Sequence, residues 1–357
     1  MTKFHEYTGC IHGHSIYSDG SGTFPEIIDH AKEAQLDFLL MSDHMTLKGK
    51  ENGYGGWYDS LYLHVGYEIQ DPDDQHHYLA FGIEKVLPKN LEHQEYIKEV
   101  EKQNALGIAA HPFEERDVKS SLPGFPPISW TTLEYPEIKV IEVWNMMSHW
   151  MEETTLKNRY WNATHPRSFA KSPKKNLTQW WDGANMTRKV TGVGSVDVHA
   201  IKIKVFGIFP KAIFHYKVMF KSIRTYLLTD KPLSKDNKDI ENDKIILDTI
   251  RQGRSYIANI KRGDASGFRF WVEKDGQKVQ MGDEIIANNA TIHVKLPLPA
   301  FCKVIRNGKV CHLEKKTTEF KLDVTHGIYR IEAKRKCRGW IYSNHIKIKD
   351  KILLCVE

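Results

Sequence analysis

The sequence predicts an α/β barrel of about seven strands followed by an all-β, immunoglobulin-like sandwich. Three observations carry this expectation. Seven short apolar, β-prone runs lie in the first 200 residues, most of them next to an imidazole or a carboxylate. Helical patterns separate several of the runs, as in parallel β/α units. The last hundred residues instead alternate in period two and carry hairpin dipeptides, the pattern of a sandwich.

In chain order the runs are 8–12, closing on His12; 38–44, on Asp43-His44; 63–68, on Glu68; 77–82, opening on His77; 107–111, on His111; 140–145, on Asn145; and 190–197, on Asp197. Helices are expected over 25–35, where Pro25 suits a first turn, and over 90–106. A polar loop over 230–243 and a helix over 244–253 follow. Arg262-Gly263-Asp264-Ala265 marks a junction, so the expected domains are 1–260 and 261–357. In the tail, Phe268-Arg-Phe-Trp-Val alternates, and Asp275-Gly276 and Asn307-Gly308 are hairpin turns. A two-residue turn at Asn307-Gly308 sets Val304 opposite Cys311 and leaves Cys302 on the diagonal, too far for a disulfide.

At 357 residues, 41% hydrophobic and 27% charged, the chain can bury a substantial core, which excludes disordered and collagen-like classes. No run approaches the ~20 apolar residues of a membrane span, and the start has no apolar leader core. Five scattered cysteines argue for a reducing, cytoplasmic setting, in which the Asn-x-Thr triplets at Asn162, Asn176, Asn185 and Asn289 are chance matches. The net charge of +6 is uneven: residues 1–260 hold 31 basic and 34 acidic side chains (−3), and residues 261–357 hold 20 and 11 (+9). Of 18 histidines, 13 precede residue 200.

Those histidines form the chemical pattern. His12-Gly13-His14 follows the first run, where alternation in an extended chain places both imidazoles on one side. Asp19 sits in a Ser-Asp-Gly-Ser-Gly loop able to bend back over that strand end. Asp43-His44, Glu68, His76-His77, His111-Pro112 and Asp197-Val198-His199 complete a set suited to Zn, Mn or Fe. Gathering so many ionisable groups at one barrel mouth would be costly without cations. Two or three clustered divalent ions support hydrolysis by an activated hydroxide. Neither a Gly-x-Ser-x-Gly elbow nor a P-loop is present to suggest another route.

These motifs, with Ser18-Asp19-Gly20, Ser42-Asp43-His44, Ala110-His111-Pro112 and Gly194-Ser-Val-Asp197-Val-His199, resemble the PHP (polymerase and histidinol phosphatase) domain over residues 8–200. The resemblance implies a distorted (β/α)7 barrel with up to three ions. It places His12, His14, Glu68 and Asp197 on one ion, Glu68, His77 and His111 on a second, and Asp19, His44 and His199 on a third. The His76-His77 doublet leaves that ligand's register open, with His77 the better fit to the family's His-x-Leu-x-x-Gly run. Arg251-Gln-Gly-Arg-Ser-Tyr256, Gly327-Ile-Tyr-Arg-Ile-Glu332 and Gly339-Trp-Ile-Tyr-Ser-Asn344 are similar to the sandwich end of PHP metallohydrolases related to carbaryl hydrolase. His345 stands where those relatives often have Pro.

The reading that follows is a metal-dependent hydrolase, foremost a phosphoesterase, with Glu68, Asp197 and His199 carrying catalysis on two to three divalent ions. Carbamate or carboxylic ester hydrolysis is the rival chemistry, and a non-catalytic metal-binding module with a partner-binding sandwich is the rival class. Arg116 and Asn145 are candidate contacts to a small anionic ester, each against an alternative of an ordinary salt bridge or hydrogen bond. Asp43 is either a support for a ligand histidine or a strand-end cap. Trp144, Trp150, Trp161, Trp180 and Trp181 are read first as core. The basic stretch 334–338 lacks the aromatic platform of single-strand binders and reads as a solvated strand edge, so no nucleic-acid partner is expected.

Overall fold

The computed structural model describes residues 4–115, 127–168, 170–205 and 209–350. Strands β1 (His5–Ile11), β2 (Phe38–Met41), β3 (Gly56–Tyr58) and β4 (Leu61–Val65) open the chain; helices α1 (Phe24–Glu33) and α2 (Lys48–Glu51) lie between them. Next come β5 (Tyr67–Ile69), β6 (Tyr78–Phe81), α3 (His93–Lys102), β7 (Leu106–Ala109) and β8 (Val140–Asn145). Then follow α4 (Met146–Glu153), α5 (Arg159–Thr164), α6 (Lys175–Thr187) and β9 (Thr191–Ser195). The small pair β10 (Lys202–Val205) and β11 (Phe209–Ala212) precedes α7 (Tyr216–Met219), β12 (Ile223–Thr229), α8 (Asp239–Arg251) and β13 (Ser255–Asn259). The tail is all strand: β14 (Arg269–Lys274), β15 (Gln277–Gln280), β16 (Glu284–Ile286), β17 (Asn289–Arg306), β18 (Lys309–Thr325), β19 (Gly327–Arg335), β20 (Arg338–Ser343) and β21 (Ile346–Lys349).

The result is a mixed α/β fold, and it departs from the expected seven parallel β/α units. A 14-stranded sheet contains β1, β2, β4 and the whole tail, and a separate five-stranded sheet runs β5-β6-β7-β8-β9. No closed barrel is formed by these ladders among the described residues. Single bridges link the sheets instead, Gly13 with Val198 and His44 with Glu68, one on each side of the candidate site. β5, β6 and β7 pair antiparallel. The β5–β6 connection is too short for a crossover helix, which a parallel pair would require. β13, just before the expected junction, pairs with both β12 and β20.

Local chemistry explains the helices. Thr23 and Glu26 form a capping box at the start of α1, which buries Phe24, Ile27, Ile28 and Ala31. α3 is shorter than expected, since Asn104 turns left-handed (φ 54°) just before β7. α8 begins inside the expected polar loop: Asn242 is buried and binds both the N–H and the carbonyl of Ser234, so the loop closes onto the helix. The tail hairpins turn at Asp275-Gly276 and Asn307-Gly308, all with positive φ. A register shift between Val304 and Ile305 places Val304 opposite His312 rather than Cys311, correcting the expected pairing by one residue. The four described cysteines, Cys10, Cys302, Cys311 and Cys337, are free. Within the basic stretch, Arg335 lies over the Trp340 ring and donates to the Arg262 and Pro299 carbonyls.

A buried charge cluster joins α6 to the tail. Arg330 (2% exposed) donates to Asp182 from Nε at 2.5 Å and Nη2 at 2.8 Å, and to Glu332 from Nη1 at 2.8 Å. His345 Nε2 lies 2.8 Å from the same Asp182 carboxylate. Next to it, the Asn344 side chain accepts from Gly192 N–H and donates to the Gly192 and Ser255 carbonyls, clasping β9 and β13.

Candidate metal centre

All nine expected ligands converge, and the route begins at the strand ends. His12, directly after β1, has φ 72°; Asp197, after β9, has φ 51°; His111, after β7, has φ 30°. Left-handed backbone costs a residue with a side chain about 1 kcal/mol or more, and such positions gather at functional sites. His12 and His14 do meet, but by this kink rather than by the alternation of an extended chain. The 18–20 loop folds back over them: Gly20 N–H donates to the Ser15 carbonyl, and a Cβ on Gly20 would sit 2.3 Å from the His14 carbonyl oxygen. Only glycine lets the loop approach so closely.

Glu68, 1% exposed, is the hub. Its Oε2 lies 2.9 Å from His12 Nε2, 3.2 Å from His14 Nε2 and 3.4 Å from His44 Nδ1. Its Oε1 lies 2.9 Å from His77 Nδ1 and 3.6 Å from His111 Nε2. Asp197 Oδ1 is 3.3 Å from His12, 3.4 Å from His14 and 3.6 Å from His199. Asp19 faces His199 at 3.2 Å, His14 at 3.6 Å and His44 at 3.7 Å. The doublet resolves by direction, since His77 turns to Glu68 while His76 turns away to Asp71.

The electrostatics are those of opposed charges forced together. Burial disfavours the charged forms of Glu68 and Asp197, yet the imidazoles, His12 foremost, hold both well below the usual carboxylate range. Burial would likewise lower His14 and His77. Asp197 and Glu68 instead hold His14 at about 9, and Glu68 with Asp74 holds His77 at about 10. Burial prevails at His44, which falls to about 3. Both ring nitrogens of the fully buried His14, and Nδ1 of His44, make no hydrogen bond. Buried orphaned nitrogens facing carboxylates fit divalent cations: His14, Asp19, His44 and His199 offer ligand atoms to one point, and so do His12, His14 and Asp197, and His44, Glu68 and His77.

Glu142, within β8, was not singled out in the sequence. It is 1% exposed and holds the centre from behind, accepting from His12 Nδ1, the His111 N–H and Asn145 Nδ2, each at 2.7 Å. Asn145, a candidate for either a substrate contact or a structural hydrogen bond, makes the hydrogen bond to this support. Its Nδ2 also reaches Asp197 at 3.3 Å, and its Oδ1 caps α4 by accepting from Ser148 N–H. Asp43 accepts from Ser15 N–H, Ser15 Oγ and Ser18 Oγ, so it braces the His14 loop rather than a ligand imidazole. Trp144, Trp150 and Trp181 are core, whereas Trp161 is exposed. Arg116 lies outside the described residues. Because Glu142 fixes the ring of His12, Glu142→Gln is expected to cut metal affinity about 10- to 100-fold with the fold intact, as outer carboxylates do. Competition with a chromogenic chelator measures this, and an unchanged affinity would remove Glu142 from the support.

No protein-family model matches the chain, and no curated protein does. Among solved structures, it is similar to a two-domain protein from Bacteroides vulgatus containing a predicted PHP-like metal-dependent phosphoesterase. That likeness has 13% identity and a TM-score of 0.44, over 96% of this chain and 95% of the other. It is also similar to a Bifidobacterium adolescentis protein provisionally designated a metal-dependent phosphoesterase, with 14% identity and a TM-score of 0.32, over 54% of this chain and 87% of that one. A third, the endo-β-1,4-mannanase of Thermotoga petrophila, has 8% identity and a TM-score of 0.24, over 97% and 98%. At such identities and scores the chain's own residues must carry the functional reading.

Proposed function

We propose that this chain is a metal-dependent hydrolase of small phosphate esters, of the PHP kind. In this reading residues 1–260 form a distorted (β/α)7 barrel and residues 261–357 an immunoglobulin-like sandwich. The observation that carries the proposal is the Glu68 carboxylate, buried with five imidazole nitrogens within 3.6 Å. Such a donor set suits two to three zinc, manganese or iron ions held by His12, His14, Asp19, His44, Glu68, His77, His111, Asp197 and His199. When bound, these ions supply Lewis acidity and bring a water's pKa towards neutrality.

The protein's own contribution is orientation and access. Glu142 and Asn145 fix His12 and Asp197 from the buried side. Asp19, His44 and His199 are the more open members, with side chains 55%, 16% and 15% exposed, so substrate enters over them. A phosphate ester suits this mouth because its anionic oxygens complement the charge of a centre filled with divalent cations. A reducing, cytoplasmic setting agrees with the free cysteines, and among the described residues no helix is long and apolar enough to cross a membrane.

Metal binding should release protons. Without metal, His14 at about 9 and His77 at about 10 are protonated at pH 8, and both must lose that proton to coordinate. Affinity is therefore expected to rise between pH 6 and 9, with at least two protons released per chain at pH 8, since His12 is also held well above the ordinary imidazole range. Calorimetry in buffers of different ionisation enthalpy measures the number, and zero release would contradict the assignment.

The function itself is tested by reconstituting the chain with Mn, Fe or Zn and assaying phosphomonoesters, phosphodiesters, carbamates and aryl esters side by side. Turnover of phosphate esters supports the proposal. Turnover confined to carbamates or aryl esters transfers the site to that chemistry, and none at full occupancy leaves a binding module.

A further inference from the structure

We propose a second, separate metal site, for a single zinc ion, built from Asp71, His76 and His93. It does not depend on the hydrolase reading, because it shares no ligand with the nine-residue centre. Asp71 follows β5, His76 precedes β6, and His93 opens α3. Asp71 Oδ2 lies 2.5 Å from His76 Nδ1 and 3.9 Å from His93 Nδ1. The three side chains offer ligand atoms close to one another; the two imidazoles stack at 4.0 Å with an 18° interplanar angle, so one ring turns for both nitrogens to face a single ion.

Two features distinguish this cluster from an ordinary hydrogen-bonded clip. The buried His93 Nδ1 makes no hydrogen bond and faces Asp71 from beyond hydrogen-bonding reach. Every atom turned away from the shared point is already held from outside, as ligands of a metal usually are. Asp71 Oδ1 accepts from the Gln75 and His76 N–H groups at 2.8 and 3.1 Å. His76 Nε2 accepts from the Thr131 N–H at 3.2 Å and lies 2.8 Å from Thr131 Oγ1, and His93 Nε2 lies 2.8 Å from Tyr135 OH. The edge of Trp130 shields both rings.

Ligand atoms around tetrahedral zinc stand about 3.3 Å apart, so the short contact opens and the long one closes by less than about 1 Å each. In this structure His76 Nε2 accepts from the Thr131 N–H, so Nδ1 holds the ring proton towards Asp71; coordination through Nδ1 moves that proton to Nε2, where Thr131 Oγ1 accepts it in place of the N–H contact. Solvent completes the shell on the side where the His93 ring is 16% exposed. Two imidazoles and one carboxylate favour zinc over the all-oxygen shells of magnesium and calcium. The ion would pin the N-terminus of α3 to the 71–76 turn, immediately behind His77.

The test compares the full wild-type chain with His93→Gln and Asp71→Asn, each loaded with zinc and dialysed. Zinc content is expected to fall by one equivalent per chain in both variants. A wild-type crystal should show a zinc-edge anomalous peak bonded to Asp71, His76 and His93. Equal zinc content in all three proteins would overturn the site, as would a wild-type map with peaks at the nine-residue centre and none here. Should a variant fail to fold, the wild-type map decides. If the nine-residue centre proves empty while one equivalent is lost in the variants, the hydrolase reading falls and this site stands.

Discussion

The Glu68→Gln chain is expected to hold no more than one ion at the nine-residue centre and to lose on the order of 10³-fold in kcat/KM, equivalent to several kcal/mol of electrostatic stabilisation. Glutamine keeps the shape but removes the charge that five imidazoles face, and it turns an amide donor towards nitrogens that need an acceptor or a cation. The loss should therefore appear in metal content and turnover together. Elemental analysis beside steady-state kinetics reads both. Near-normal turnover with a full metal complement would show that Glu68 is not the hub.

The second large effect concerns stability. Asp182→Ala leaves the Arg330 guanidinium buried with only Glu332 as a carboxylate partner, and it also takes the acceptor from His345. Removing one member of a buried ion pair typically costs about 3–5 kcal/mol, because the other charge stays desolvated. Replacing both members by apolar groups of similar size costs far less. Urea unfolding is expected to show Asp182→Ala strongly destabilised and Asp182→Leu/Arg330→Met closer to wild type. If the double variant loses as much as the single one, packing rather than charge joins α6 to the tail.

The candidate site was more legible in the sequence than the fold. Imidazoles and carboxylates beside short apolar runs can be read directly, because few other arrangements place so many metal-capable groups at strand ends. Glu142 was hidden because a glutamate inside Val-Ile-Glu-Val-Trp-Asn reads as part of a strand. Its one available sign was a carboxylate where the pattern demanded an apolar side chain. His76 and His77 could not be separated by composition, but neighbouring residues at the head of a strand face opposite ways, and the two rings part accordingly.

Pairing direction was harder to read. The short path from Ile69 to Tyr78 could have excluded a parallel β5–β6 pair, but a period-two pattern does not report direction. The shift at Val304 depends on the twist of a long hairpin and left no mark in composition. The Asp182–Arg330 pair joins residues 148 positions apart, which no local pattern reveals.

The central claim is that the cluster around Glu68 gathers divalent ions in order to hydrolyse a phosphate ester. Its most direct test is phosphomonoester turnover, followed as Mn²⁺ is added stepwise to the metal-free chain with bound metal counted at each step. Turnover should be negligible at the start, rise as the nine-residue centre fills, and level off at two to three equivalents. A centre filled to that level without hydrolysis would contradict the claim, and so would turnover that is already complete before any metal is bound.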